Sequence, residues 1–160
     1  GPPRGWCYSR ADVCAKEHRP YGAMTAGALG ALGILHYLMD SDVKKDPVAR
    51  SGLAWLSSNW SATEHPGPQE FDVSPKEEYY YYLYALERLG MLMGIEKVGG
   101  HDWYAEGAKE ILAAQKADGS WNDGAAKRGN STWDTCFAIL FLKKATRELV
   151  ISEDRSKPRK

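Results

Sequence analysis

Aromatic side chains are concentrated in one stretch, which runs Tyr-Tyr-Tyr-Tyr-Leu-Tyr over positions 79–84. Tyr80 and Tyr84 are one helical turn apart, as are Tyr81 and Tyr84, so the members of each pair share a helix face. Because the face of an aromatic ring attracts cations, such a group of rings can stabilise a carbocation. The structural alternative is that the tyrosines fill core space with their hydroxyls hydrogen-bonded. The side chains we expect nearest to any internal cavity are His36, Tyr80, Tyr84, Met91, Trp133 and Phe137.

Five helices of two alternating kinds are predicted to position these side chains. Helices over about 22–39, 77–93 and 132–142 are apolar on nearly every side, so other helices must cover them. The two helices between them each have one apolar stripe and one polar face, which is typical of an outer layer. The expected stripes are Ala49, Leu53, Leu56 and Trp60 in the first outer helix, and Tyr104, Ala108, Ile111, Leu112 and Gln115 in the second.

Local signals mark the ends of these helices. Asp46 is expected to cap the helix that starts at Pro47, and residues 74–77 form a capping box with proline in first place. Gly94 and the pair 99–100 are expected to close the third helix. The first helix carries glycines that lower helix propensity, which indicates that another helix packs very close to them: Gly27, Gly30 and Gly33.

The connection between the fourth and fifth helices carries Gln115, Gly119 and Trp121 in the pattern Gln-x-x-x-Gly-x-Trp. Gly119 can adopt the left-handed conformation that ends a helix, and the Gln115 amide can bond backbone groups there. We predict that Gln115 and Trp121 are structural. Asn59 lies 56 positions before Gln115 as a degenerate copy, and residues 5–6 look like the end of an earlier copy. The pattern therefore indicates helix pairs that repeat about every 56 residues.

This spacing resembles the QW motif of the squalene/hopene cyclase and prenyltransferase repeats, and residues 134–142 are similar to the inner helix of those repeats. The resemblance runs from about Trp6 to Lys144. It implies an all-α fold, an α/α toroid in which inner and outer helices alternate around a central cavity, with about two and a half repeats here. Residues 80–90 and 99–104 also resemble uncharacterised bacterial proteins with such repeats, as in planctomycetes.

The resemblance suggests two kinds of catalytic group. Terpene cyclases protonate their substrate with Asp-x-Asp-Asp, but the nearest stretch, residues 40–42, lacks the last Asp and is interpreted as a solvated connection. Protein prenyltransferases hold zinc with an Asp, a Cys two residues on and a distant His, which gives Asp134, Cys136 and His101, with His36 as another third ligand. Asp134 in a first helical turn and Cys136 in a core are the structural alternatives. We expect no metal, no cofactor and no catalytic residue in this chain.

Composition sets broader limits. Lys+Arg and Asp+Glu are both 21 in 160 residues, so the formal net charge of zero argues against a nucleic-acid surface. No apolar run is long enough to cross a bilayer. Cys7 and Cys14 could pair, but we expect three reduced cysteines, which would suit the cytoplasm. The expected division is an N-terminal loop over 1–21 that ends a preceding repeat, a helical-repeat domain over 22–147 and a charged, disordered tail over 148–160.

These observations predict a non-catalytic helical-repeat module of a larger bacterial protein that binds an apolar ligand or a protein partner. The alternative is part of an isoprenoid-processing enzyme whose catalytic acid or metal lies outside this segment. Both terminal inner helices are apolar on more sides than an outermost element should be. We therefore expect self-association or docking onto the remaining part of the parent protein.

Overall fold

The computed structural model describes residues 2–8, 20–67, 76, 78–122 and 131–149. These residues are mostly helical, which confirms the all-α prediction. No helix within the described ranges is long and apolar enough to cross a membrane. The helices are α1 (Gly22–Leu38), α2 (Pro47–Ser58), α3 (Tyr79–Met93), α4 (Trp103–Ala113) and α5 (Ser131–Leu142), with a 3-10 turn at Val43–Lys45 and two short strands, β1 (Lys97–Val98) and β2 (His101–Asp102).

Helix α3 is the centre of the structure. It packs against α1 and α5, and these three helices form what we call the inner row. Helix α2 packs on α1, and α4 packs on α3 and α5, so α2 and α4 form an outer layer. On α3 the side chains of Tyr82, Leu83 and Leu86 are completely buried. Helix α3 is therefore covered by its neighbours, as expected, whereas Leu38 of α1 and Trp133 of α5 are 69% and 63% exposed.

The helix starts follow their capping residues. Asp46 Oδ1 accepts hydrogen bonds from the backbone N–H groups of Val48 (2.6 Å) and Ala49 (3.2 Å), as predicted. Asp102 Oδ1 caps α4 in the same way. Helix α3 begins at Tyr79, two residues later than expected, after Glu78 in the left-handed conformation with φ 58°. The predicted capping box over 74–77 lies largely outside the described residues, which include only Lys76 of it.

The two strands were not predicted. They form an antiparallel pair in which Val98 lies opposite His101, joined by Gly99 and Gly100 with φ of 60° and 91°. Two consecutive positive φ values define the tight hairpin turn that a Gly-Gly pair favours. These glycines, which were expected only to close the preceding helix, therefore form the turn of a hairpin.

Of the three glycines on α1 that were expected to mark close packing, two lie against α3. A Cβ on Gly30 would lie 3.9 Å from the Leu89 Cα, and one on Gly33 would lie 3.3 Å from the Met93 Cγ. Gly27 has nothing within 4 Å of such a Cβ, so the expectation of close packing is wrong for this residue. Gly22, the first residue of α1, also lies against α3, because a Cβ on it would be 2.8 Å from the Tyr82 Cδ2.

The buried face of α4 differs from the predicted stripe. Trp103, Gly107 and Ile111 are buried, whereas Leu112 is 59% exposed and Gln115 lies beyond the end of the helix. The Phe141 ring determines this face, because it would lie 2.6 Å from a Cβ on Gly107. A repeat of 56 residues would pair Leu56, which is buried, with Leu112, which is exposed, so this pairing is wrong. The buried positions of α2 and α4 correspond at an offset of 55 residues: Gly52 with Gly107, and Leu56 with Ile111.

A side-chain hydroxyl of an inner helix binds the segment that precedes it in three places. Thr135 Oγ1 accepts from the Trp121 N–H (3.1 Å) and donates to the Trp121 carbonyl (3.3 Å). Thr25 Oγ1 bonds the same two groups of Trp6, at 2.9 and 3.5 Å. In the middle connection Tyr82 donates to a carbonyl of the loop instead. Trp6 and Trp121 therefore occupy equivalent places, which supports an internal repeat.

Candidate functional site

A partly exposed aromatic surface of the inner row lies between α3 and α5. We call Tyr81, Tyr84, Trp133 and Phe137 the aromatic face. The Tyr84 and Phe137 rings are stacked with centroids 5.2 Å apart, and Tyr81 lies 5.5 Å from Phe137 in a tilted arrangement. These three side chains are half-buried. Trp133 lies one turn before Phe137 on α5 and is 63% exposed, so a large ring faces solvent beside the stack.

A cation adjoins the aromatic face. The Arg88 Nη1 donates to the Tyr84 hydroxyl at 3.3 Å, and the Arg88 Cζ lies 5.8 Å from the Tyr84 ring centroid. Arg88 is half-buried, and no carboxylate of the described part of the chain is within 4.0 Å of it. Arg88 was not predicted as a site residue, although its position one turn after Tyr84 was the signal that could have identified it.

The structure brings together only some of the predicted cavity residues. Tyr84 and Phe137 are in contact, with Trp133 one turn away. Tyr80 is 3% exposed and lies edge-on to Tyr79, so its ring belongs to the core and not to the aromatic face. Met91 is partly buried against the core. The aromatic face is therefore a surface of α3 and α5.

His36 links the end of α1 to the start of α2. Its Nε2 lies 2.7 Å from Asp46 Oδ2, and its Nδ1 lies 2.8 Å from the Ser41 hydroxyl. The hydrogen bond from His36, together with those from the Ala49 and Val48 amides, lowers the pKa of Asp46. The ionised Asp46 can only accept, so Nε2 carries a proton and donates it to Asp46 Oδ2, while the Ser41 hydroxyl also lies 3.3 Å from the His36 carbonyl oxygen.

The acidic connection that follows α1 serves as a set of caps. Asp42 Oδ1 accepts from the Lys44 N–H at 2.9 Å and starts the 3-10 turn, and Asp46 starts α2. These contacts agree with the interpretation of residues 40–42 as a solvated connection rather than a proton donor. They also explain why acidic residues recur here, since side-chain carboxylates satisfy the free N–H groups at helix starts.

The metal-ligand candidates point in different directions. Asp134 is 6% exposed, whereas Cys136, two residues later on the same helix, is exposed. His101 Nδ1 bonds Glu106 at 3.1 Å, and its ring stacks on Trp60 at 5.1 Å. Within the described ranges no three Asp, Glu, His or Cys side chains are grouped as a metal site requires.

The residues of the Gln-x-x-x-Gly-x-Trp motif form hydrogen bonds to the backbone where α4 ends and the next turn begins. Trp121 is 4% exposed and its Nε1 donates to the Ile111 carbonyl at 2.7 Å. The Gln115 Nε2 donates to the Gly119 carbonyl at 3.0 Å, where Gly119 has φ 84°. Asn59 instead donates backwards to the Trp55 carbonyl at 2.8 Å, so it caps its own helix. Trp121 and Gln115 therefore hold the turn between α4 and α5.

The cysteines differ from expectation. Cys7 is disulfide-bonded, so the prediction of three reduced thiols is wrong, while Cys136 is free. Cys14 lies outside the described residues. A stable disulfide is typical of proteins folded in oxidising compartments, so the cytoplasmic expectation loses the observation on which it was based.

No protein-family model matches this chain, and neither does any curated protein or solved structure.

Proposed function

We propose that this chain is a non-catalytic helical-repeat module that binds an apolar molecule on its aromatic face. The observation that carries this proposal is the 63% exposure of Trp133 beside the half-buried stack of Tyr84 on Phe137. Large exposed apolar surfaces usually mark binding sites, and aromatic rings contribute a large contact area at a low cost in conformational entropy.

The arrangement of helices supports a binding surface on the inner side of an α/α toroid segment. Gly90 of α3 faces the outer layer, because the Trp103 ring of α4 would meet its Cβ at 2.4 Å. Arg88, two residues earlier, points to the other side of the helix, together with Tyr84 and Tyr81. Tyr81, Tyr84 and Arg88 therefore lie on the side of α3 that α4 does not cover. In a toroid that side lines the central cavity.

The acidic side chains after α1 support a role as helix caps rather than as a proton donor within this segment. Asp42 and Asp46 are engaged as helix caps, and the ionised form of Asp46 is stabilised by its bonds. A carboxylic acid that protonates an alkene must instead be kept neutral by its surroundings. The lowered pKa of Asp46 is the opposite of that requirement.

Binding of an uncharged fluorescent probe tests this proposal. Nile red should bind the wild-type protein with a rise in emission, and Trp133→Ala should weaken binding about fivefold or more, since an aromatic anchor is typically worth over 1 kcal/mol. Leu112→Ala is the matched control, because Leu112 is 59% exposed on the outer helix α4. Equal binding by both variants and the wild type would refute a site at the aromatic face.

A second candidate function is supported by the exposed end of α1. Leu35, Leu38 and Met39 are 48%, 69% and 55% exposed, and we call them the α1 patch. We propose that this patch binds a protein partner or a second copy of the chain. Leu38→Lys should shift the sedimentation coefficient at micromolar concentration towards that of a monomer. A wild-type protein that is already monomeric at high micromolar concentration would exclude the second copy.

A further inference from the structure

We infer that the molecule bound by the aromatic face is an amphiphile with a carboxylate head, and that Arg88 binds this head. This inference rests on the proposed function and specifies the class of its ligand. The observation behind it is the 3.3 Å hydrogen bond from the Arg88 guanidinium to the hydroxyl of Tyr84, a member of the aromatic face.

The charges of the inner row favour an anion. Helices α1, α3 and α5 contain one Lys or Arg between them, which is Arg88. Their acidic residues are both buried: Glu87 is 0% exposed and bonds Thr146, and Asp134 is 6% exposed. Arg88 therefore supplies the one positive charge of these three helices, and no exposed carboxylate of the same helices balances it; the half-buried Glu78 precedes α3, three residues before Tyr81. A ligand with a negative group complements the Arg88 charge, whereas a cationic ligand would be repelled.

The geometry of the guanidinium suits a carboxylate. An arginine side chain has five N–H donors in a planar fork, and a carboxylate can accept two of them side by side. One donor of Arg88 is used by the Tyr84 hydroxyl. The hydroxyl and the ring of Tyr84 hold the guanidinium in place, so less side-chain entropy is lost when an anion binds.

The apolar part of the ligand then has a defined place. Tyr84 lies between Arg88 and Phe137, because it bonds the first and stacks on the second. A hydrocarbon chain whose head is bound by Arg88 can therefore lie across the Tyr84 and Phe137 rings towards Trp133. Burial of such a chain on these rings would stabilise the complex through the hydrophobic effect.

A matched pair of ligands tests the head and the chain separately. Sodium dodecanoate and dodecan-1-ol have the same hydrocarbon chain and differ in the head group, and both are titrated below their aggregation limits by isothermal calorimetry. Wild-type protein should bind dodecanoate about tenfold more tightly than dodecan-1-ol, since a charge-assisted bidentate pair at a half-buried site is worth about that factor. Raising the salt concentration should reduce this preference.

Three variants assign the effect to Arg88. Arg88→Gln should bind the two ligands equally, Arg88→Lys should keep part of the preference, and Lys97→Gln, which removes an exposed cation from the hairpin, should leave it unchanged. Thermal unfolding of each variant confirms that it is folded. Equal affinities for both ligands in the wild type would overturn the carboxylate inference and leave the proposed function standing. Binding of neither ligand, together with no binding of Nile red, would overturn both.

Discussion

The Trp121 backbone and the Thr135 hydroxyl exchange two hydrogen bonds, with the Trp121 N–H donating at 3.1 Å and the hydroxyl donating back to the Trp121 carbonyl at 3.3 Å. The Trp6 backbone and the Thr25 hydroxyl form the same pair of hydrogen bonds near the start of the chain. Because neither pair can form until an inner helix is packed against the preceding segment, these bonds fix the connections rather than the helices themselves.

The first prediction concerns these two hydroxyls. Thr135→Val and Thr25→Val keep the size of the side chain but leave the Trp N–H without its partner, so each should lower the free energy of unfolding by about 1–2 kcal/mol. Thr135→Ser retains a hydroxyl and should cost clearly less than Thr135→Val. Urea unfolding followed by circular dichroism measures the differences. A Thr135→Val protein as stable as the wild type would show that the bonds contribute nothing.

The second prediction separates the two residues of the motif. Trp121 is 4% exposed and its ring N–H bonds Ile111, whereas Gln115 is exposed. Trp121→Ala should therefore cost about 3–5 kcal/mol, and Gln115→Ala less than about 1 kcal/mol. Trp121→Phe keeps most of the ring and loses the donor, so it should lie between them. If Gln115→Ala were the more destabilising change, our view of the turn would be incorrect.

How far the sequence predicts this molecule depends on how local the cause is. The existence of the five helices and the Asp46 cap follow from apolar patterns and residue types within one or two turns. The buried face of α4 does not, because it is set by Phe141 packing on Gly107. Glu87 shows even more clearly that a distant residue can determine burial. Its carboxylate is completely buried and bonds both the N–H and the hydroxyl of Thr146, which is 59 residues away.

The candidate site also could be predicted only in part from local spacing. The helical spacing of Tyr84, and of Phe137 one turn after Trp133, placed these residues on plausible faces. Spacing alone did not distinguish Tyr80, which is buried, from Tyr81, which is half-buried on the aromatic face. Both are within one turn of Tyr84, and only the direction from which α1 and α5 approach α3 decides between them.

The third prediction uses two glycines in helix interiors. Gly27→Ala on α1 has nothing within 4 Å of the added methyl group, so it should stabilise the protein by about 0.5–1 kcal/mol through helix propensity. Gly107→Ala on α4 would meet the Phe141 ring at 2.6 Å and should destabilise it by about 1–3 kcal/mol. Melting temperatures give the signs directly. A Gly107→Ala protein at least as stable as the wild type would contradict the packing of α4 against α5.

The fourth prediction is a loss of stability at alkaline pH. Burial raises the pKa of Tyr79 and Tyr82 well above the ordinary value of 10.0, and it raises the pKa of Tyr21 to about 12. The folded state therefore keeps these groups neutral while the unfolded state ionises them. Their stabilisation is fully present below pH 10 and is lost as the pH rises from there to the folded-state pKa, by up to about 1.4 kcal/mol per pH unit for Tyr79 and Tyr82 and by less for the half-buried Tyr21.

Urea unfolding between pH 8 and pH 11.5 measures this loss. Tyr82→Phe should reduce the slope of stability against pH above pH 10, since it removes one ionisable group. Tyr84→Phe is the comparison, because Tyr84 is only half-buried. Ionisation of all nine tyrosines at pH 10 in the folded protein, seen by phenolate absorbance, would show that Tyr79 and Tyr82 are not buried.

The central claim is that Trp133 contacts a ligand on the aromatic face. The most direct measurement is 19F NMR of protein in which all six tryptophans carry 5-fluorotryptophan, with the Trp133 and Trp121 resonances assigned by Trp133→Phe and Trp121→Phe. On titration with dodecanoate below its aggregation limit, the Trp133 resonance should shift in a saturable manner, while the buried Trp121 resonance should stay within its line width. A Trp133 resonance that does not move, or one that moves no more than Trp121, would contradict the account.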